Sequence, residues 1–490
     1  MSTTTRDPAG TPPKPAQGSR QLLMLLCGAQ FMILLDASIV NVALPAISRD
    51  LGFGHGNLQW IVNAYTLAFA GFLLLGGRLA DILGRKFLFQ SGIILFTIAS
   101  LAGGVAQDEG TLLAARALQG LGAALLAPSI LTILTTTYSE GQARAKAMGA
   151  WTASSGVGFA AGALFGGVLV EVANWRWTLL INIPFGIAGL AVAQKAIPAT
   201  PRPPRRARLD VLGVLLSTAG LLSLTYGAVS SGERGWSSPV TWGTLLAGVV
   251  LLGWFVVHET AVAREPIMPL RLLTVRSVAA ANLTMFWISA AVYPSLFVLS
   301  LYVQNVLGYS ALKAGLAFLA PTIAMAATSQ FAARLNMRVG PRTLLLIAAA
   351  LGSTGLAWLT QVSAGGSFLS DVLAPSVLTF LGLGLANAPL AMAAMSGVAP
   401  NEAGLASGIL NTTRQVGISL GLAVIATVAA DTTRNSHASD PLHNLTAGYG
   451  AAFGVAAGLA VLALLCAFFL PGATRAAPRP APAPATEPTP

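Results

Sequence analysis

Fourteen stretches between residues 22 and 470, each about 20 residues long and nearly free of charge, constrain this chain more than any other feature. A helix needs roughly 20 apolar residues to cross ~30 Å of hydrocarbon, where every backbone amide must be satisfied internally. The expectation is an all-α polytopic membrane protein with 14 transmembrane helices. Composition agrees: 54% of residues are hydrophobic and 9% charged, against about a quarter charged in soluble domains. The net charge of +11 does not indicate nucleic acid, because the basic residues sit at the ends of apolar spans. With the N-terminus inside, most of the 28 Lys and Arg fall on the inner side, which predicts a multi-pass protein of the cytoplasmic membrane with both termini in the cytoplasm.

The spans group into blocks. Residues 1–20 and 471–490 read as polar or Pro/Ala-rich disordered tails, and 21–197 as a first bundle of six helices. A basic Pro-rich linker, 198–209, leads to a two-helix hairpin over 210–260. A cytoplasmic loop, 261–276, then leads to a second six-helix bundle, 277–470. The two bundles repeat a pattern: Arg78 to Lys86 follows the second span of the first, and Arg334 to Arg342 follows the second span of the second in the same register. Such internal repeats are typical of secondary transporters, whose substrate sites lie between the halves near the midplane.

Asp36 carries the first chemical signal, because a carboxylate two thirds of the way along an apolar span is expensive to keep. Its protonation can respond to its surroundings, since desolvation and nearby cations act on it in opposite directions. Arg116 lies at a similar depth in the fourth span, close enough to pair with it, and Gln119 and Gly120 follow one turn later on the same face. In the loop Gly77 to Lys86, Gly84 permits a tight turn, while Asp81 and Arg85 are placed to form a latch with the opposite block. Gly158, Gly162, Gly166 and Gly167 make one face of the fifth span flat enough for two backbones to approach. Asn41, Gln119, Asn411 and Arg414 are candidate cavity residues, and Arg414 has no evident carboxylate partner in the second block. Cys27 and Cys466 lie in spans and read as small apolar residues. No metal-ligand spacing, phosphate-binding loop or nucleophile triad occurs, so neither an enzyme nor a cofactor is expected, and uphill transport would draw on an ion gradient.

These motifs resemble the fourteen-span drug/proton antiporter branch of the major facilitator superfamily. The resemblance rests on Leu34 to Pro45, Gly77 to Lys86, Leu112-x3-Arg116-x2-Gln119-Gly120, Trp175-Arg176-Trp177-x4-Asn182-x-Pro184 and Arg264-Glu265-Pro266. One departure is Gly162-Ala163, where the branch usually has Gly-Pro. The resemblance implies a major facilitator fold, two six-helix bundles plus a central two-helix hairpin, working as a monomer in the lipid bilayer. It implies proton-coupled export of small amphipathic compounds such as antibiotics, dyes or antiseptics, with Asp36 and Arg116 coupling protons to substrate. The alternative is a proton-coupled uptake symporter for a small polar solute.

Overall fold

The computed structural model describes residues 18–470 apart from 55–56, 139–141, 198–209, 264–265, 267–269, 399–402 and 437–439. The expected tails and the basic linker therefore lie outside the described residues, or nearly so. The described residues are helical nearly throughout. The first half comprises α1 (Gly18–Leu51), α2 (Trp60–Leu83), α3 (Arg85–Gly104), α4 (Glu109–Thr137), α5 (Gln142–Val172), α6 (Trp177–Leu180) and α7 (Asn182–Ala196). Next come α8 (Val211–Arg234) and α9 (Pro239–Val257), with a π turn at His258–Val262 and a 3-10 turn at Leu270–Thr274. The second half holds α10 (Arg276–Asn305), α11 (Ala311–Ala317), α12 (Leu319–Val339) and α13 (Pro341–Leu359). A π turn at Phe368–Leu373 then leads into α14 (Ala374–Met395), followed by α15 (Ala403–Asn435) and α16 (Pro441–Ala467).

Among the described residues, thirteen helical stretches are long and apolar enough to cross a membrane. The second of the fourteen expected spans corresponds to α2, a 24-residue helix in which the side chains of Leu74, Arg78, Asp81 and Ile82 lie outside the described residues. Two spans are broken, each by a proline. Pro184 and Pro321 have no N–H to offer the carbonyls of Leu180 and Ala317, and the helix interrupts at Ile181 and Phe318, dividing α6 from α7 and α11 from α12. Pro128, Pro294 and Pro389 stay inside continuous helices. Several helix starts carry caps the sequence supplies: Asp108 for α4, Asp210 for α8, Ser310 for α11 and Asp440 for α16.

The packing repeats between the halves. In the first, α1 lies on α5, and α4 on both α2 and α3; in the second, α10 lies on α15, and α14 on both α12 and α13. Backbone geometry repeats with it, because Gly84 (φ 91°) and Gly340 (φ 82°) make the same glycine-dependent turn between the second and third spans of each half. Glycines set the helix spacing. A Cβ on Gly158, Gly162 or Gly166 of α5 would lie 2.6, 2.5 or 2.9 Å from the carbonyl oxygens of Phe31, Leu35 and Ile39, one per turn of α1. In the second half Gly417 and Gly421 of α15 press in the same way on Phe286 and Ala290 of α10. One hydrophobic core fills the first half around Leu26, Ile33, Phe89 and Phe96. A larger one starts at Leu35 to Ile47 of α1 and continues through α10 into the second half.

The α8–α9 hairpin sits to one side, against α2 and α15. Thr218 donates to the Gly71 carbonyl at 3.3 Å, Thr427 donates to the Ala228 carbonyl at 3.0 Å, and the Trp60 and Tyr226 rings meet at 6.3 Å. On α9, Trp242, Leu246, Val249, Val250 and Trp254 are exposed, an apolar face suited to lipid.

The glycine contacts give a direct test. Gly162→Leu would drive a side chain into the α1 backbone, and overpacking of this kind costs about 1–3 kcal/mol. Thermal unfolding in detergent is expected to show a clear fall in Tm, whereas Gly28→Ala, with nothing within 4 Å of its Cβ position, leaves Tm unchanged or slightly raised.

Candidate functional site

Four helices of the first half deliver polar side chains to one dry point. Asp36 of α1 and Arg116 of α4 are 0% and 1% exposed, and Arg116 Nη1 meets Asp36 Oδ2 at 2.7 Å. The other oxygen, Oδ1, accepts from Asn182 Nδ2 at 2.8 Å and from Gln119 Nε2 at 3.1 Å. Gln119 also donates to Ser100 Oγ at 2.7 Å and accepts from Arg116 Nη1 at 2.8 Å. Arg116 Nε donates to the Ile61 carbonyl at 3.1 Å, and its guanidinium lies 4.5 Å from the centre of the Tyr65 ring. Both carboxylate oxygens thus have donors, and the cation has a carboxylate, an amide oxygen, a carbonyl and a π face. A buried pair is tolerated on those terms and is costly when any partner is missing.

The local sequence explains how the parts converge. Gly120 lets α2 press onto α4: a Cβ there would collide with the Tyr65 carbonyl, and the approach brings Ile61 and Tyr65 to Arg116. The break before α7 leaves Asn182 as its first residue, aimed at Asp36. The glycine face of α5 brackets Asp36 from behind by holding Leu35 and Ile39. The sequence therefore points to the Asp36–Arg116 pairing, with Gln119 beside it, and the structure shows those three in contact. Ser100 and Tyr65, which have no motif around them, join the site without a signal in the sequence, and Asn182 appears there only as part of the Trp175 to Pro184 motif. The signal for Asn182 is its place two residues before the proline that breaks its span.

Other candidates fall elsewhere. Asn41 donates to the Ala37 carbonyl at 3.0 Å and lines a small void with Ser38, Phe159, Leu296, Phe318 and Thr322, between the halves. Ser38 is about 200° around α1 from Asp36, so void and ion pair lie on opposite faces of one helix. The four α5 glycines do not act as one set: Gly158, Gly162 and Gly166 face α1, while Gly167 meets Ala311 and Leu312 of α11. Beside it, the Ala163 carbonyl would collide with a Cβ on Gly315, so the position without the usual proline is itself a crossing point of the two halves. At the same end Glu171 accepts from the Leu312 N–H at 3.1 Å. Pro45 withdraws a donor from the Asn41 carbonyl, which instead accepts from Ser300 Oγ of α10 at 2.8 Å. This end of the interface is closed.

In the expected latch, Arg85 Nη1 donates within its own half, to Thr136 Oγ1 at 2.7 Å in the last turn of α4, where a cation complements the helix dipole. Lys86 likewise donates to the Gln194 carbonyl of its own half at 2.7 Å. Gly77 has only the Pro128 side chain near its Cβ position, and the Asp81 side chain lies outside the described residues. Asn411 and Arg414 are half-buried on α15, and Arg414 has no ion-pair partner among the described residues.

Comparison with known proteins now places this architecture. Residues 26–422 match the Major Facilitator Superfamily profile. The chain belongs to that superfamily. Within it, the cephamycin export protein CmcT of Amycolatopsis lactamdurans is 44% identical over 434 residues, covering 88% of each chain. The puromycin resistance protein pur8 of Streptomyces alboniger is 39% identical over 414 residues, 84% of this chain and 82% of its own. The multidrug resistance protein Stp of Mycobacterium tuberculosis is 34% identical over 412 residues, 84% and 76% of the two chains. A crystal structure of the nucleoside transporter NupG superposes with a TM-score of 0.64 at 11% identity, covering 91% of this chain and 99% of that one, which shows the shared fold. This major facilitator protein is accordingly a multi-pass membrane transporter.

The buried pair makes a stability prediction. Arg116→Leu strands the Asp36 carboxylate, and breaking a buried pair from one side costs about 3–5 kcal/mol. The double variant Asp36→Leu with Arg116→Leu is expected to unfold at a higher temperature than Arg116→Leu alone, as read by thermal melting in detergent.

Proposed function

We propose that the protein exports small amphipathic compounds, antibiotics among them, across the cytoplasmic membrane in exchange for protons. The observation that carries proton coupling is the Asp36–Arg116 pair, a titratable group at 0% exposure held entirely by side chains of the first half. Such a group exchanges protons only if the bundle opens around it, which ties its charge to conformation. Export is supported by relatives named for cephamycin export, puromycin resistance and multidrug resistance. With both termini in the cytoplasm, the closed end near Gly167 and Gly315 is the outer end, so this conformation is shut toward the outside. Substrate enters between the halves from the cytoplasm, against the α1 face that carries Ser38 and Asn41. Protonation of Asp36 on the opposite face weakens its hold on Arg116, releases α1 from α4, and lets the outer end part. One proton moving down a membrane potential supplies about 2.3 kcal/mol per 100 mV.

Proton release from purified protein, measured with a pH dye on adding lipophilic cations or neutral drugs, tests this reading. Release is expected in the wild type and absent in Asp36→Asn. Transport by Asp36→Asn at the wild-type rate with proton coupling intact would overturn it, and solute-driven proton uptake in the import direction would favour symport.

Arg414 adds a specificity prediction. A half-buried cation without an ion pair among the described residues favours substrates that bring an acidic group, and a hydrogen bond to a charged group is worth about 1.5–3 kcal/mol. Arg414→Gln is expected to weaken binding of carboxylate-bearing compounds about tenfold or more, with neutral compounds nearly unaffected, as measured by tryptophan fluorescence titration.

A further inference from the structure

One end of the second half carries a basic and apolar patch with no part in the Asp36 site. There α16 packs on both α10 and α13, and beyond its last turn come Phe468 and Phe469, 47% and 63% exposed. Both neighbours begin at this end with an arginine, Arg276 as the first residue of α10 and Arg342 as the second of α13. Arg276 Nε donates to the Phe469 carbonyl at 3.2 Å, where a cation meets the negative end of the helix dipole. The Arg342 guanidinium lies 5.8 Å from the centre of the Phe468 ring. Two cations from two helices are thus brought to adjacent residues at the end of a third.

These contacts leave most of each cation unused. Among the described residues neither Nη group of Arg276 has an acceptor, Arg342 donates no hydrogen bond, and neither side chain has a carboxylate partner. Arg276 is exposed and Arg342 half-buried. With Nε held on a carbonyl, the Nη groups of Arg276 remain to donate elsewhere, and a planar guanidinium matches the oxygens of a phosphate. Apolar surface runs on from the arginines into the span. Leu462 and Leu465 of α16 are exposed, and so is Leu283, two turns along α10 on the face of Arg276. Membrane topology asks only for basic residues near the ends of spans. It does not ask that two of them converge on one helix end beside exposed phenylalanines. A soluble anion would match the arginines and leave the apolar surface bare, whereas a phospholipid of net negative charge matches both.

We propose that Arg276, Arg342, Phe468 and Phe469 form a binding site for an anionic phospholipid, whose phosphate is taken by the two guanidinium groups and whose acyl chains lie along α16 and against Leu283. The bound lipid ties the starts of α10 and α13 to the end of α16. The site lies wholly in the second half and touches nothing around Asp36, so it stands whether or not Asp36 couples transport.

The test is native mass spectrometry of the full-length protein titrated in detergent with phosphatidylglycerol, with phosphatidylcholine and the soluble glycerol 1-phosphate as comparison ligands. Saturable binding of phosphatidylglycerol is expected, tighter than that of either comparison ligand. At about 1 kcal/mol for each arginine, it is expected to weaken about fivefold in Arg276→Gln or Arg342→Gln and about 25-fold in the double variant. Arg342→Gln leaves the bond from Arg276 to Phe469 in place, so it carries the test if the double variant does not fold. Lys195→Gln, which removes one charge from the end of α7, is expected to bind as the wild type does. Phe469→Ala keeps the backbone carbonyl and is expected to weaken phosphatidylglycerol alone. Phosphatidylglycerol binding unchanged in Arg342→Gln, or weakened as much in Lys195→Gln, would overturn the proposal. Glycerol 1-phosphate bound as tightly as the lipid would replace it with a site for a soluble phosphate.

Discussion

A carboxylate with no exposure to water, set among helices made for hydrocarbon, can persist only if each of its oxygens finds a donor. Asp36 meets that condition with Arg116, Gln119 and Asn182, and the condition reaches well beyond those residues. It fixes the rotation of α1, since a turn of a third of a circle would carry Asp36 out of reach of α4. It fixes the distance between α2 and α4, because Arg116 also needs the Ile61 carbonyl and the Tyr65 face. It depends on the break at Ile181 that presents Asn182. In water such a network would add little to a fold that hydrophobic burial already decides. Inside a bilayer, where lipid competes with side chains for apolar contact, polar contacts and close backbone packing decide how helices associate.

Glycine and proline supply the rest of the geometry, and their roles differ. The glycines of α5 bring two backbones together over three turns of α1, so the helix bearing Asp36 has little freedom to tilt. The same pattern on α15 and α10 gives the second half the same spacing without any carboxylate to hold. The prolines free carbonyls. The Asn41 carbonyl, left without a donor by Pro45, takes Ser300 of the opposite half, and so a defect in one helix becomes a bond across the interface. A bond of this kind, made by a hydroxyl on a flexible side chain and not by a helical ladder, costs little to exchange when the halves part.

How much of this was legible in the sequence follows from what each residue's neighbours reveal. Span number and the block repeat could be read because hydrocarbon thickness leaves a helix little choice of length, and Gly84 and Gly340 repeat in register because the same turn demands a positive φ in both halves. Asp36 and Arg116 could be paired by depth alone. The partner of Arg85 could not, because a basic residue at a helix start can reach a helix end in its own half or in the other with equal ease, and it took its own. The division of the α5 glycines between α1 and α11 was equally hidden: spacing shows that a face is flat, not which helix lies on it. Ser100 gave no signal because a serine in a span is ordinarily satisfied by its own helix.

The placement of void and ion pair on opposite faces of α1 bears on how charge and substrate communicate. If both occupied one cavity they would compete directly, and the substrate's charge would decide the exchange. In the proposed mechanism they compete across a helix, through its position, so a substrate that pushes α1 toward the first half or away from it alters Asp36 without touching it. The glycine contacts with α5 make that transmission efficient: with backbone on backbone there is no side chain to absorb a shift, and closely packed helices move between discrete arrangements instead of deforming smoothly. Under the proposed function, a transporter built this way can serve chemically varied compounds, because what Asp36 responds to is the position of α1.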